Sequence, residues 1–346
     1  MRLLSTLLLA PAAALAPIER RSLFKGAALS SAVGAAPALA KTSGVGGPTV
    51  KLSDGTNFPM VSFGLQVYDD EAAYKYTTLA LECGYRNFFA SVLAGNQKGF
   101  GRAVRASGIP RDELYVCGSV LSNRARGEEA AFQATRRGCE ANFRDLDVGK
   151  LDMIMLDYPG PDDESIQGQW RGMEKMRTEG GVASLAVSNY SPAQLDVVLR
   201  AGGGKPCVNQ LPVGVGYKPK LNAELLSENR KRGVLVQAWS PLRVISPRAL
   251  EACAAVGRPY GKTAQQVALK RVLVSPFVTP SSDPTRASDE SPVREDCARG
   301  RLPRRWILAK GATYTCQTTS KKHFQEDIDV FDFELSAKDL AALEGV

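Results

Sequence analysis

From residue 41 onward, short apolar runs alternate with stretches in which apolar residues recur every three to four positions. That is the pattern of parallel strands separated by amphipathic helices. Residues 60–64 read as the first strand, after which Ala73, Tyr76, Ala80 and Cys83 line one helical face. Residues 86–91 and 114–118 are the next strands, followed by a long helix presenting Phe132, Cys139, Phe143 and Leu146. Segments 151–157, 182–188, 207–210, 234–239 and 312–316 complete the set, with a helix around Trp170, Met173 and Met176 after the first of them. Eight strands with intervening helices predict an α/β fold, a (β/α)8 TIM barrel, with its functional groups at the C-terminal strand ends.

Residues 272–305 break the pattern. These 34 residues are rich in Pro, Ser, Arg and Asp, and neither helical nor strand periodicity runs through them. They split what would otherwise be one amphipathic helix, Ala268-Leu269-Lys270-Arg271 continuing into Trp306-Ile307-Leu308-Ala309-Lys310-Gly311. A structureless stretch of this length is uncommon inside a compact domain. Its whole-codon length and sharp edges fit a retained intron, and the alternative is a disordered surface loop. Neither is expected to carry chemistry.

The first forty residues read as a bipartite targeting presequence, leaving 41–346 for the barrel. Residues 1–17 have Arg2, a Leu/Ala-rich run and small residues at the end, the features of a secretory signal. The run is too short for a membrane anchor. Arg20-Arg21-Ser22-Leu23-Phe24-Lys25 then resembles a twin-arginine motif, ahead of a weakly apolar segment and an Ala38-Leu39-Ala40 cleavage site. Two signals in series predict a plastid protein of the thylakoid lumen, and the alternative is a bacterial exported protein.

Charge and cysteine content narrow the partners. The formal net charge is +8, of which the leader supplies four positive groups and one negative, leaving about +5. No basic stretch is interleaved with aromatics, so nucleic acid is not an expected partner. Seven cysteines without a Cys-x-x-Cys pair, beside the single His323, argue against a zinc site or a disulfide framework. Small buried hydrophobes are the simpler reading of the thiols.

Several segments carry a resemblance. Cys83-Gly84-Tyr85-Arg86, Gly95-Asn96, the run 151–162, Val187-Ser188-Asn189-Tyr190, Val208-Asn209-Gln210, Ala238-Trp239-Ser240-Pro241-Leu242 and Phe331-Asp332-Phe333-Glu334-Leu335-Ser336 occur in an order and spacing that resemble the aldo-keto reductase family from residue 50 to 346. The resemblance implies a TIM barrel that uses NADPH to reduce carbonyls. In that family a tyrosine donates the proton, a lysine paired to an aspartate lowers its pKa, and a histidine orients the substrate oxygen. Here the aspartate position holds Phe89, the tyrosine position Ala94, the lysine position Ser119 and the histidine position Asp157. Alanine has no proton to give, and an ionised Asp157 has the wrong sign to stabilise an oxyanion.

The cofactor half is less altered. Ser188, Asn189 and Gln210 match the family's contacts to the nicotinamide carboxamide, which needs donors and acceptors in fixed places. Trp239 stands where an aromatic stacks on the nicotinamide ring, and Ser240, Pro241 and Leu242 match the pyrophosphate loop. At the adenosine end Gln317, Thr318 and His323 replace a Lys-Ser…Arg clamp on the 2′-phosphate; Glu326 is kept, and Asp327 replaces an asparagine. The loss of two cations leaves NADPH and NADH both open as ligands. The expectation is a family barrel without conventional carbonyl reduction, a pseudoenzyme or binding protein with a nucleotide or a lumenal protein as partner. The alternative is an NAD(P)H-dependent oxidoreductase with Tyr158, Ser119 or Asp157 as a replacement proton donor. No metal is expected.

Overall fold

A computed structural model describes residues 47–216, 219–243, 245–274, 311–344 and 346. A short antiparallel hairpin comes first, β1 (Thr49–Lys51) with β2 (Asn57–Pro59), in which Val50 faces Phe58 and both are buried. Its turn reaches the N-terminal ends of later strands. The Asp54 carboxylate accepts from Ser184 Oγ at 2.6 Å and from Cys207 Sγ at 3.0 Å. Burial pushes the Asp54 carboxyl up, but hydrogen bonds from Ser184, Thr56 and Cys207 outweigh it and hold the group below its ordinary range.

Eight strands follow and close a barrel: β3 (Val61–Gly64), β4 (Asn87–Phe89), β5 (Tyr115–Val120), β6 (Leu151–Asp157), β7 (Val182–Ser188), β8 (Val208–Pro212), β9 (Leu235–Trp239) and β10 (Thr313–Cys316). Neighbours in sequence pair in parallel, and β10 pairs with both β9 and β3 to complete the ring. The eight expected strands are all present, with ends shifted by up to two residues. Between them stand α1 (Asp70–Glu82), α2 (Gln97–Ala106), α3 (Glu128–Leu146), α4 (Asp163–Thr178), α5 (Pro192–Arg200), α6 (Pro219–Lys231), α7 (Pro247–Gly257) and α8 (Ala264–Leu273). After β10 come α9 (Lys321–Ile328) and α10 (Ala337–Ala342).

Local chemistry explains several helix starts. Ser191 and Gln194 form a capping box on α5, with Pro192 at its first position, and Thr263 with Gln266 does the same on α8. Helix contacts depend on missing side chains. A Cβ on Gly99 would lie 1.8 Å from the Asp70 carbonyl oxygen, and one on Gly168 2.0 Å from that of Glu128. These glycines let α2 approach α1, and α4 approach α3, closely.

Strand parity decides what faces the barrel axis. A Cβ on Gly118 would press on Asn142 and Leu146 of α3, so Gly118 faces the helices and its neighbour Ser119 faces inward. The register then places Phe89, Cys117, Ser119, Met155, Asp157, Ser188, Gln210 and Gln237 on the inner face. All eight are at least nine-tenths buried.

The expected edge of the insertion needs correction. Helix α8 continues through Leu273, and Val272 and Leu273 are buried in the core rather than part of an irregular segment. Both are apolar and continue the helical face that began at Val267. The chain resumes at Gly311, where the Ala312 N–H donates to the Val272 carbonyl at 3.2 Å. Residues 275–305 of that segment, the expected continuation 306–310 and the leader 1–40 lie outside the described residues.

Candidate cofactor site

The fold brings Phe89, Ala94, Ser119 and Asp157 together at the C-terminal ends of β4, β5 and β6. Phe89 ends β4 and is fully buried. Ala94 closes a single turn, Val92–Ala94, just beyond it. The Ser119 hydroxyl accepts the Val92 N–H at 2.9 Å, so it fastens that turn to β5. Asp157 is 5% exposed. Burial pushes its carboxyl up to about 6, against the opposing hydrogen bond from Ser188. Among the four, only Asp157 carries a group that titrates near neutrality.

Backbone strain collects at the same end. Four described residues other than glycine have positive φ, and three of them directly follow strands: Tyr158 (76°), Asn189 (65°) and Ser240 (49°). Such conformations cost about 1–3 kcal/mol each and persist where surrounding contacts enforce them. Here the enforcing contacts are ladder extensions. The Tyr158 N–H donates to the Ser188 carbonyl at 3.2 Å, and the Asn189 N–H to that of Gln210 at 2.9 Å.

The side chains expected to hold a nicotinamide form two hydrogen-bonded groups, joined through the backbone bond from Asn189 to Gln210. Asn189 Nδ2 donates to Ser188 Oγ at 2.9 Å, and its Oδ1 accepts from Trp239 Nε1 at 3.2 Å. Gln210 Nε2 donates to Gln237 Oε1 at 2.8 Å. An amide has two N–H donors and two acceptor lone pairs, so Asn189 and Gln210 each retain capacity for a carboxamide. Trp239 is half-buried. Leu242 packs against the core, and Pro241 lies against Gly214, whose Cβ would fall 2.4 Å from the Pro241 carbonyl oxygen.

The residues expected to meet the adenosine already have protein partners. Gln317 Nε2 donates to Gln66 Oε1 at 2.6 Å, and the Thr318 hydroxyl lies 3.4 Å from His323 Nδ1. Lys322 lies 3.7 Å from Glu326. Asp327, on α9, is buried. Burial pushes its carboxyl up to about 7, while a hydrogen bond with Cys316 pulls the other way.

Sequence reading missed Gln66, Tyr68 and Gln237. Tyr68 donates its hydroxyl to the Thr318 carbonyl at 3.0 Å, so the segment after β3 is tied to the end of β10 through both Gln66 and Tyr68. Strand parity could have flagged Gln237, two positions before Trp239 on the same face. Nothing local marks Gln66, whose partner is 251 residues away. An apolar collar also went unnoticed. Val67, Leu93, Leu121 and Tyr158, all large and exposed, follow the ends of four consecutive strands, β3 to β6.

The sequence profile of the Aldo/keto reductase family matches residues 58–346. An aldo-keto reductase of Mycolicibacterium vanbaalenii is 29% identical over 306 residues, covering 88% of this chain and 94% of its own. Another, from Mycolicibacterium smegmatis, is 27% identical over 300 residues, covering 86% and 90%. Among solved structures, an aldo/keto reductase from Brucella melitensis superposes with a TM-score of 0.67 at 23% identity, over 86% of this chain and 98% of that one. An aldo-keto reductase of Bombyx mori, solved in complex with NADP, gives a TM-score of 0.67 at 20% identity, over 87% and 92%. The closed ring of eight parallel strands and the profile covering most of its length agree: the chain belongs to the aldo/keto reductase family.

Proposed function

We propose that this barrel binds a nicotinamide dinucleotide but does not carry out conventional carbonyl reduction, acting as a pseudoenzyme or binding protein. The observation that carries the reading is the contrast between two neighbouring sets of strand ends. Those of β7, β8 and β9 keep Ser188, Asn189 and Trp239 in one hydrogen-bonded group and hold the Gln210 amide on Gln237. Those of β4, β5 and β6 offer a buried phenyl ring, a methyl group, a hydroxyl holding a backbone N–H, and a carboxyl. A positioned general acid alone contributes roughly 10²–10⁴ in rate. The test pairs calorimetric titration of NADH and NADPH with a panel of aldehydes and ketones followed by cofactor oxidation. Binding without turnover supports the reading; turnover clearly above the uncatalysed rate overturns it.

On the same reading the preference for NADPH is reduced, because Gln317 and His323 stand where the resemblance places lysine and arginine. Glu326 and Thr318 would remain at the adenosine end. The leader supports a plastid, lumenal location, checked by sequencing the N-terminus of the protein recovered from its source. A lumenal protein partner is the other occupant this reading allows.

Asp157 favours a second reading, an oxidoreductase with a rebuilt proton donor. With its carboxyl raised to about 6, the protonated form is populated in a compartment held near that value. A turnover rate that falls as pH rises through about 6, and that is lost in Asp157→Asn, would establish it.

A further inference from the structure

We propose that the mouth of the barrel takes a hydrophobic amine, its ammonium group on the Asp157 carboxylate and its apolar body against the collar of Val67, Leu93, Leu121 and Tyr158. The inference rests on the reading that this pocket binds rather than reduces its ligand, and it names the chemical class of that ligand.

Three observations converge. First, a carboxylate sits at the inner end of β6, 5% exposed and in no ion pair with any described residue. Its hydrogen-bond partner is the neutral hydroxyl of Ser188. A buried carboxylate without a cation is costly, and a ligand that brings one relieves the cost. Second, the titratable groups facing it from adjacent elements are the Cys117 thiol on β5 and the Tyr190 hydroxyl after β7. Burial pushes both well above their ordinary values, with Asp157 itself adding to the shift. Neither supplies positive charge, and neither becomes a competing anion near neutrality. Third, the collar beside Asp157 is apolar and open. Val67 is 67% exposed, Leu93 53%, Tyr158 41% and Leu121 37%. Four exposed apolar side chains thus follow four neighbouring strand ends, and apolar groups gathered at one end of a barrel mark a binding surface. A neutral ligand would leave the carboxylate unpaired, and an anion would be repelled. A polar cation would leave the collar wet. An ammonium on an aromatic or alkyl body satisfies both parts of the site.

The experiment is calorimetric titration of the full-length protein with phenethylamine and with phenethyl alcohol, its uncharged counterpart of similar size. At about pH 8, where Asp157 is ionised and the amine still protonated, the amine is expected to bind about tenfold more tightly or better. In Asp157→Asn, which keeps the shape of the side chain, the two should bind alike. The amine preference should also shrink as pH falls below about 6. Leu93→Ser, at an exposed position that does not threaten folding, should weaken both ligands together. Equal binding in the wild type, absence of binding by either ligand, or a preference that survives Asp157→Asn overturns the inference. NADH titrated in parallel separates the two readings. Dinucleotide binding without an amine preference sinks this inference alone. An amine preference without dinucleotide binding sinks the cofactor reading alone.

Discussion

The indole N–H of Trp239 donates to the side-chain oxygen of Asn189 at 3.2 Å, joining residues 50 apart in sequence at the ends of β9 and β7. The bond fixes the plane of the ring and the orientation of the amide at once. On the proposed reading, the surface that would stack on a nicotinamide and the amide that would meet its carboxamide are set together.

Trp239→Phe should keep an aromatic surface but release the Asn189 amide. One neutral hydrogen bond contributes about 1 kcal/mol, so NADH affinity should fall about fivefold while the melting temperature moves by only a few degrees. Calorimetry and thermal denaturation read the two effects separately. An unchanged affinity would show that the bond does not organise the site.

Gln317→Lys with His323→Arg should restore a preference for NADPH. Each new charged hydrogen bond to a 2′-phosphate is worth about 1.5–3 kcal/mol, a gain of roughly ten- to hundredfold that NADH should not share. Gln66→Ala, which removes only the partner of Gln317, is the control and should leave the ratio of the two cofactors unchanged. An equal gain for both cofactors would rule out recognition of the 2′-phosphate here.

Stability should fall as pH rises through neutrality. The Asp327 carboxyl is raised from 3.8 to about 7 by burial. The folded state therefore holds this proton more tightly than the unfolded chain. Its stabilising contribution is complete below about 3.8 and lost as pH rises through about 7. Asp157, raised to about 6, acts in the same direction over a narrower window. Asp327→Asn should raise stability by a few kcal/mol, on the order of what such a shift represents, near pH 8 and by little near pH 4. Equal changes at the two pH values would rule out titration as the cause.

Phe89→Asp and Ser119→Lys should each be severely destabilising. An unpaired charge at either inward, buried position costs about 3–5 kcal/mol. Made together, the two charges stand on adjacent strands, and the double variant should lose less than the sum of the single losses. Urea denaturation of the four proteins measures that coupling. Strict additivity would mean that the two charges do not meet.

The barrel was legible because each strand is a short apolar run and each helix an amphipathic one, as in 151–157 followed by Trp170, Met173 and Met176. The hairpin β1–β2 was not, since three-residue strands carry too few positions for a period. The edge at Val272 was misplaced because irregular composition downstream drew the boundary inward, while burial against the core holds Val272 and Leu273 in the helix. Ser188, Asn189, Gln210 and Trp239 could be singled out as candidates because they lie in distinctive segments at strand ends. Gln66 with Gln317, and Tyr68 with Thr318, could not, because closing the barrel is what makes them neighbours.

The hydrogen bond from Ala312 back to Val272 has a consequence for how this gene can vary. The chain leaves α8 and re-enters at β10 from the same corner, and β10 pairs with β9 and β3 on its own residues. Whatever path the intervening residues take, the ring closes without being measured by their number. Changes of length within 275–310 should thus leave the same ring of eight strands.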